Sequence, residues 1–469
     1  MPDDRYDLVV IGGGSAGLTA AGFAAAVGAR VLIAAERLGG DCTWTGCIPS
    51  KTLIRVARQV HDARNPPSTG GSAREPMVDF THVMADVHAA VERVYALETP
   101  EELAKRRVEV AIGTASFVDR ESIQVADRLV RAEHLIVCTG ATPVVPDIPG
   151  LDAVRVLTYE TFFDLERMPA SLVVVGAGAT GLELAQALGR LGSNVSVVEQ
   201  RAQVLPDVDS DAAAVIHRRL QGEGIRLYLS SAVSSVSAVG SRLELRVRDD
   251  HLQAEGLLIA AGRRPRIEGL ELGRAGIDVR DGAIRVDKNL RTTNPLVHAA
   301  GDVTGGFQFT HYAGWQGYIA ARNALLPGTQ DGTRANVPWV VFTDPEIAQA
   351  GWSEVQARTQ FSDVRVLRME LDRVDRAQTE GETDGFLKLV TAGSGKLIGA
   401  TVVSRVAGET INELALAIDR GLTLSELAGT IHAYPTFGFA IQQLAAEASM
   451  EAAASGIRGR AISALRRLS

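Results

Sequence analysis

The sequence predicts an α/β protein: two doubly wound units with parallel sheets, then a C-terminal α+β segment. Three observations predict it. An apolar strand, a glycine turn and an Ala- or Leu-rich helix follow one another twice, at 7–29 and at 171–200. Glycine is frequent (47 of 469 residues) while Phe, Trp and Tyr together make only 5%, which suits a fold of many tight turns better than a sandwich of short strands. From about Val337 the strand and helix patterns continue without any glycine fingerprint. At roughly 150 residues per domain the length allows about three domains, each able to bury its own core.

Composition narrows the partners. A net charge of -8 argues against a nucleic-acid partner, because phosphate binding needs a basic face. No apolar run reaches the roughly 18 residues of a membrane helix. The opening MPDDRYDLVVIGGG has no basic region ahead of an apolar one, so it is expected to be a strand entering a glycine turn and not a signal peptide. Three cysteines in a chain this long make no disulfide scaffold, so the expectation is a cytoplasmic protein in which any disulfide is catalytic.

In the first unit, DLVVIGGGSAGLTAAGFAAAVGA, the turn places Gly12, Gly14 and Gly17 as GxGxxG. The first glycine permits the tight turn, the second lets backbone approach a pyrophosphate, and the third lets helix and strand pack closely. The anion then sits on the N–H groups and positive dipole end of the helix. The next strand, RVLIAAE, puts Ala34 near the expected acidic place and Glu36 two residues late, so its ribose contact is open. The second unit, SLVVVGAGATGLELAQALGRLGSNVSVVEQ, repeats the pattern with Gly176, Gly178 and Gly181, and its next strand ends in Glu199. A carboxylate there accepts from the adenosine ribose and repels a 2′-phosphate, favouring NAD, while Arg201 keeps NADP open. Two Rossmann-like units imply two dinucleotides, most simply a bound flavin and a diffusing nicotinamide; the alternative is a duplication with one inactive copy.

Between the units stands LGGDCTWTGCIPSKTLI, with Cys42 and Cys47 separated by four residues. A disulfide needs Cα atoms roughly 4.4–6.8 Å apart, whereas five extended steps cover about 17 Å. The segment must therefore fold back, with Gly46 and a helix start allowing it. Pro49 suits a first helical turn, and a thiol at a helix N-terminus ionises more readily. The spacing suits a redox pair. Zinc would want four ligands, and the other cysteine, Cys138, lies in the apolar run HLIVCTG as a core residue.

GGDCTWTGCIPSK resembles the redox-active disulfide segment of the class I flavoprotein disulfide reductases, the pyridine nucleotide-disulfide oxidoreductases. The resemblance covers almost the whole chain in order: LIVCTGATP and LLIAAGRRP resemble the links between FAD and NAD domains, VHAAGDVTGG the second flavin motif, and GTASF a strand entry at the adenosine end. It implies an FAD-binding domain at 1–148 and 269–335, an NAD(P)-binding domain at 149–268, and an interface domain at 336–469 that forms a homodimer, a two-fold design common among oligomers. It also implies roles. Cys42 is the interchange thiol that meets the substrate, and Cys47 the charge-transfer thiolate against the flavin. Lys51 sits near flavin N5, paired with Glu183, since a buried lysine is costly without a carboxylate. Asp302 bonds the ribityl chain, Thr114 and Ala115 meet the adenosine end, and Thr139, Gly140, Gly262 and Ala313 line the cofactor sites. Ala179 stands where many relatives carry a tyrosine gate, which opens the nicotinamide pocket.

The C-terminal loop HAYPTFGFA separates members of the family. In the thiol-disulfide members it reads roughly HxHPTxxE, the second histidine being the acid–base and the glutamate its orienter, and it completes the partner subunit's site. Here Tyr434 precedes Pro435 and Phe439 takes the glutamate place, while Thr436 is kept. His432 falls two residues earlier, on the same side of an extended loop as Tyr434. Tyrosine, with a reference pKa near 10, cannot shuttle protons at neutral pH as histidine does. Mercuric reductases resemble this chain at that tyrosine, and also carry a C-terminal cysteine pair where this chain reads RAISALRRLS. The expectation is thus a mercuric-reductase-like enzyme passing electrons from NADH or NADPH through FAD and the Cys42–Cys47 disulfide to a soft ion such as Hg(II) or Cu(II), held as substrate by those two sulfurs, with no structural metal. A disulfide reductase of the dihydrolipoamide dehydrogenase kind, an oxidase or quinone reductase, and a redox sensor stay open. The loop RNPPSTGGSAREP is expected to be a surface insertion, and the arginine-rich tail a solvated or dimer-bound helix.

Overall fold

The computed structural model describes residues 5–65, 76–393 and 395–455, so the Arg-rich tail and most of the Pro/Gly/Ser-rich insertion lie outside the described residues. These residues form two compact units. One draws on the described residues within Met1–His61, Glu75–Val198 and Ala232–Arg334, the other on those within Asp62–Arg74, Glu199–Ser231 and Ala335–Ser469.

The first unit holds both glycine-turn motifs. Its main sheet runs in parallel order Val108–Ile112, Val31–Leu38, Arg5–Gly13, Arg128–Val137, with Val297–Ala299 added beside the last. Parallel strands buried on both faces need apolar residues throughout, and RYDLVVIGG meets this demand alternately. Tyr6, Val9 and Ile11 enter one core, Leu8 and Val10 the other. On the Leu8 face the helices Ser15–Ala26 and Thr310–Leu325 pack closely, where a side chain at Gly317 would come within 2.1 Å of the Ala16 carbonyl oxygen. The second motif contributes the parallel strands Asn194–Val198, Ser171–Val175 and Gly256–Ile259. The short strands Ala141–Pro143 and Arg263–Pro265 pair antiparallel where the chain passes from one motif to the other and back.

The second unit contains a five-stranded antiparallel sheet in the order Trp339–Val341, Glu346–Gly351, Lys396–Ser404, Phe386–Ala392, Val364–Glu370. The helices Ala407–Arg420 and Phe439–Ser455 bury Ile411, Leu414, Ile441 and Leu444 in its core. The helix Ser210–Gly222 belongs to this unit as well. Among the described residues no helix is long and apolar enough to cross a membrane.

Candidate functional site: a dithiol, two nucleotide cradles and a C-terminal loop

Both glycine turns have the same internal logic. Gly12 and Gly176 adopt φ of +116° and +108°, and a Cβ there would stand 2.2 Å from the Cys138 carbonyl oxygen and 2.3 Å from that of Ala260. A Cβ on Gly17 or Gly181 would press to 1.9 or 2.1 Å from the carbonyl oxygen of the first glycine of its own turn. The middle glycines differ. Gly178 has nothing within 4 Å of its would-be Cβ, and Gly14 has only the Gly40 Cα at 3.6 Å. Each middle glycine is the N-cap of its helix, with no side-chain cap bond, at the end where the first N–H groups lack intrahelical partners. This is the cradle a pyrophosphate requires, present twice, and the residues fit two dinucleotides.

The remaining predicted contacts fall as follows. Glu36 is exposed near the end of Val31–Leu38, and the Gly113 N–H donates to the Ala35 carbonyl at 3.0 Å, bringing Thr114 and Ala115 beside that strand end. At the crossing strands the Thr139 hydroxyl donates to the Arg266 carbonyl (2.6 Å), the Arg266 N–H donates to Gly140 (3.0 Å), and the Val144 N–H donates to Gly262 (2.9 Å). Asp302 accepts from Arg263 at 3.1 Å, and burial pushes its carboxyl upward against that cation. Ala313 is buried in the helix Thr310–Leu325, against Gly301. Glu199 directly follows Asn194–Val198 and accepts the Arg201 N–H at 2.8 Å. Ala179 is exposed at the start of its helix, leaving a methyl where a gate would stand.

The two cysteines come together as thiols. The short helix Gly40–Trp44 carries Cys42, the chain turns at Thr45–Gly46, and Cys47 opens the helix Cys47–Arg64, as the fold-back requires. The pair shares a hydrogen bond that holds Cys47 down, to about 6, and pushes Cys42 well up. Thr310 contacts the Cys47 sulfur at 3.3 Å and Lys51 adds a nearby positive charge, both lowering Cys47 further, while burial opposes them. One turn on, the Lys51 ammonium meets the Glu183 carboxylate at 2.8 Å, with the glutamate buried and the lysine half-buried. Cys138 is buried, and burial raises its thiol. Among the described residues no group of three or more His, Cys, Asp or Glu is arranged to hold a metal ion.

Several neighbours have no local sequence signal. Thr310 is one, lying eight residues beyond Asp302. Asp41, directly before Cys42, faces the Tyr159 hydroxyl at 3.5 Å; burial raises its carboxyl while Arg266, Arg263 and Arg37 lower it. Arg266 in turn donates to Glu160 at 2.6 Å. Only the fold brings these side chains to the cysteine helix.

The C-terminal loop separates its two candidate acid–bases. Tyr434 is 64% exposed, donates its hydroxyl to Asp375 at 2.8 Å and packs edge-on against Phe439. That carboxylate raises the phenol, so Tyr434 stays protonated. His432 does not run alongside Tyr434 as an extended loop would place it. Its ring is 8% exposed, with Nε2 at 2.7 Å from Glu413 and Nδ1 at 3.0 Å from the Thr430 carbonyl. The reason is a bend. The Thr436 hydroxyl donates to Ala433 (2.8 Å) and accepts the Phe439 N–H (3.1 Å), closing a turn around Pro435.

The comparisons agree with this geometry. The family model described as pyridine nucleotide-disulphide oxidoreductase matches residues 6–317, and the model of that family's dimerisation domain matches 337–445. The mercuric reductase of Bacillus cereus is 35% identical over 438 residues, 92% of this chain and 69% of that protein. The dihydrolipoyl dehydrogenase of Bacillus subtilis (strain 168) is 33% identical over 460 residues, 95% of each. Among solved structures, the Cu(II) complex of the HOCl-induced flavoprotein disulfide reductase RclA from Escherichia coli matches with a TM-score of 0.84 at 30% identity, covering 93% of this chain and 99% of that one. This chain belongs to the pyridine nucleotide-disulphide oxidoreductases, FAD-dependent enzymes that use NAD(P)H, and it carries their dimerisation domain.

Proposed function

We propose that this enzyme passes electrons from NAD(P)H to a soft metal ion, Hg(II) or Cu(II), held by Cys42 and Cys47. The observation that carries the reading is the C-terminal loop. Where a disulfide reductase needs a free imidazole, Tyr434 is a phenol bound to Asp375, and the nearby His432 has both ring nitrogens facing acceptors. A disulfide substrate leaves as thiolates that need protons, and a positioned acid is typically worth ~10²–10⁴-fold. A soft ion needs thiolates instead, and Cys47 is held near 6 by its neighbours. Two kinds of relative point the same way: several are mercuric reductases, and RclA was solved with Cu(II).

FAD, when bound, would supply the two-electron link between NAD(P)H and the Cys42–Cys47 disulfide. The chain's own part is assigned as follows. Gly12, Gly14 and Gly17, with Glu36, Thr114, Ala115, Thr139, Gly140, Asp302 and Ala313, hold FAD. Gly176, Gly178 and Gly181, with Gly262 and the ribose reader Glu199, hold the nicotinamide nucleotide. Lys51 pairs with Glu183 at 2.8 Å beside the flavin position, Cys47 holds the thiolate, and Cys42 meets the acceptor. The domain limits 1–148, 149–268, 269–335 and 336–469 belong to the same proposal. A second reading, disulfide reduction, is favoured by the dihydrolipoyl dehydrogenase relatives. Cys42→Ala tests the assignment: metal-dependent NAD(P)H consumption should vanish while diaphorase activity with a dye survives. Metal reduction that persists in Cys42→Ala overturns it.

A further inference from the structure

The C-terminal unit contains a charge that the electron path does not use. Lys388 lies on Phe386–Ala392, and its side chain is 2% exposed. Its ammonium stands 3.1 Å from Asp209, 2.7 Å from Asp211 and 3.5 Å from Glu354. Arg368 joins the cluster through Asp211 and lies over the Phe386 ring at 3.6 Å. Burial opposes the ammonium, but the two aspartates outweigh it and raise Lys388. Such a cluster is a poor source of stability, since a buried ion pair often contributes no more than well-packed apolar residues.

The place of Asp209 shows what the cluster does instead. Asp209 is the N-cap of the helix Ser210–Gly222, where an aspartate normally accepts the N–H of the second or third helical residue. Here its side chain makes no cap bond. It accepts from Lys388 and from the Glu354 N–H at 3.4 Å. Asp211, in the first turn, also turns to Lys388. The N-cap aspartate is thus fastened to the sheet, while Asp211 also accepts the first-turn Ala212 N–H at 2.9 Å.

The fastened segment begins at Glu199. The Glu199 N–H donates to Tyr228 (2.9 Å), the Ser231 N–H to Glu199 (2.8 Å) and the Ser230 N–H to Arg201 (2.8 Å). Gln203 donates to the carbonyls of Leu205 (3.3 Å) and Val208 (3.0 Å), so residues 199–209 form one braced loop ending on the anchor. We infer that Lys388 is a positioning residue for pyridine-nucleotide binding: from within the dimerisation domain it fixes the loop whose Glu199 and Arg201 distinguish a ribose hydroxyl from a 2′-phosphate. This rests on the proposed ribose-reading role of Glu199.

The test uses the FAD-loaded dimer and steady-state kinetics with NADH and NADPH against a dye acceptor. Lys388→Met keeps the volume and removes the charge, and Lys388→Met combined with Asp209→Asn and Asp211→Asn removes the stranded carboxylates. In both, KM for the preferred nucleotide should rise roughly three- to thirtyfold, with kcat at saturation held within about twofold and the NADH:NADPH preference narrowed. Arg368→Met, which keeps Lys388 and both aspartates, should leave KM within about twofold. Glu199→Gln is run beside them. If Glu199→Gln changes the preference but both Lys388 variants keep wild-type KM values and lose only thermal stability, the inference falls and the reading of Glu199 stands. If Glu199→Gln leaves KM and preference unchanged, the ribose-reading role falls and the inference with it.

Discussion

The cysteine segment and the C-terminal loop are the two places where this chain brings acid–base groups into position, and they are built in opposite ways. Around Cys47 the balance favours a thiolate: the Cys42 thiol, Thr310 and the nearby Lys51 charge lower it and outweigh burial and the Glu183 charge, which raise it. On the loop each candidate proton donor is committed elsewhere, Tyr434 to Asp375 and His432 to Glu413 and Thr430. The difference teaches that electron delivery and proton delivery are separable in this fold. In the proposed function the helix start supplies the thiolate, while Tyr434 and His432 on the loop are held by other partners.

Breaking the cysteine side should give the largest effects. Cys47→Ser should abolish the long-wavelength absorbance that appears on anaerobic reduction with NADH, together with acceptor turnover; a band of unchanged intensity would show that Cys47 is not the thiolate against the flavin. Cys42→Ala should lower metal reduction by on the order of 10³-fold or more while flavin reduction by NADH, followed by stopped flow, keeps its rate.

The charge beside the dithiol comes next. Glu183→Gln removes the negative charge that lies 2.8 Å from the Lys51 ammonium. It should slow flavin reduction by about 10- to 100-fold, and Lys51→Met by at least as much. Equal rates in wild type and both variants would remove the pair from the electron path.

The loop side can be sharpened by restoring what it lacks. Tyr434→His should raise lipoamide or small-disulfide reduction by on the order of 10-fold or more. Tyr434→Phe should change disulfide reduction little, because the phenol is bound to Asp375 and, with its pKa raised, does not shuttle protons at neutral pH. A Tyr434→Phe variant that loses whatever disulfide activity the wild type has would show that the phenol does carry the proton.

The smallest effect is a titration. Cys47 is held at about 6, below its usual value, so it is a thiolate above that pH and a thiol below it. The long-wavelength absorbance of the NADH-reduced protein should therefore fade as pH falls through about 6 and be constant on the alkaline side. Thr310→Val removes a donor to the thiolate and should move the midpoint upward by roughly one unit or less.

Much of this was legible in the sequence because it is written in local patterns. GxGxxG followed by a helix encodes a cradle whose first and third glycines are demanded by the chain's own carbonyls, and both copies have that geometry. The Cys42–Cys47 spacing with Pro49 encodes a turn into a helix, and the turn is there. The parts that were not legible depend on residues far apart in the chain. Thr310 reaches Cys47 across 263 positions, and Asp41 meets Tyr159 across 118. Lys388 reaches Asp209 across 179, and no period or spacing marks it as the anchor of a helix cap. The loop was half legible. The tyrosine at the acid–base place could be read directly, but the fate of His432 depended on a turn closed by Thr436 and on Glu413 from another helix.

The central claim, that the electrons leave through the Cys42–Cys47 pair to a soft ion and not to a disulfide, is tested most directly by an acceptor panel. FAD-loaded enzyme is given NADH or NADPH at neutral pH with Hg(II), Cu(II), lipoamide, small disulfides, quinones and oxygen, in wild type and Cys42→Ala. The account predicts that Hg(II) or Cu(II) drives nucleotide consumption well above the lipoamide rate, and that Cys42→Ala abolishes the metal-driven part. Rapid lipoamide turnover with metal ions inert would contradict it.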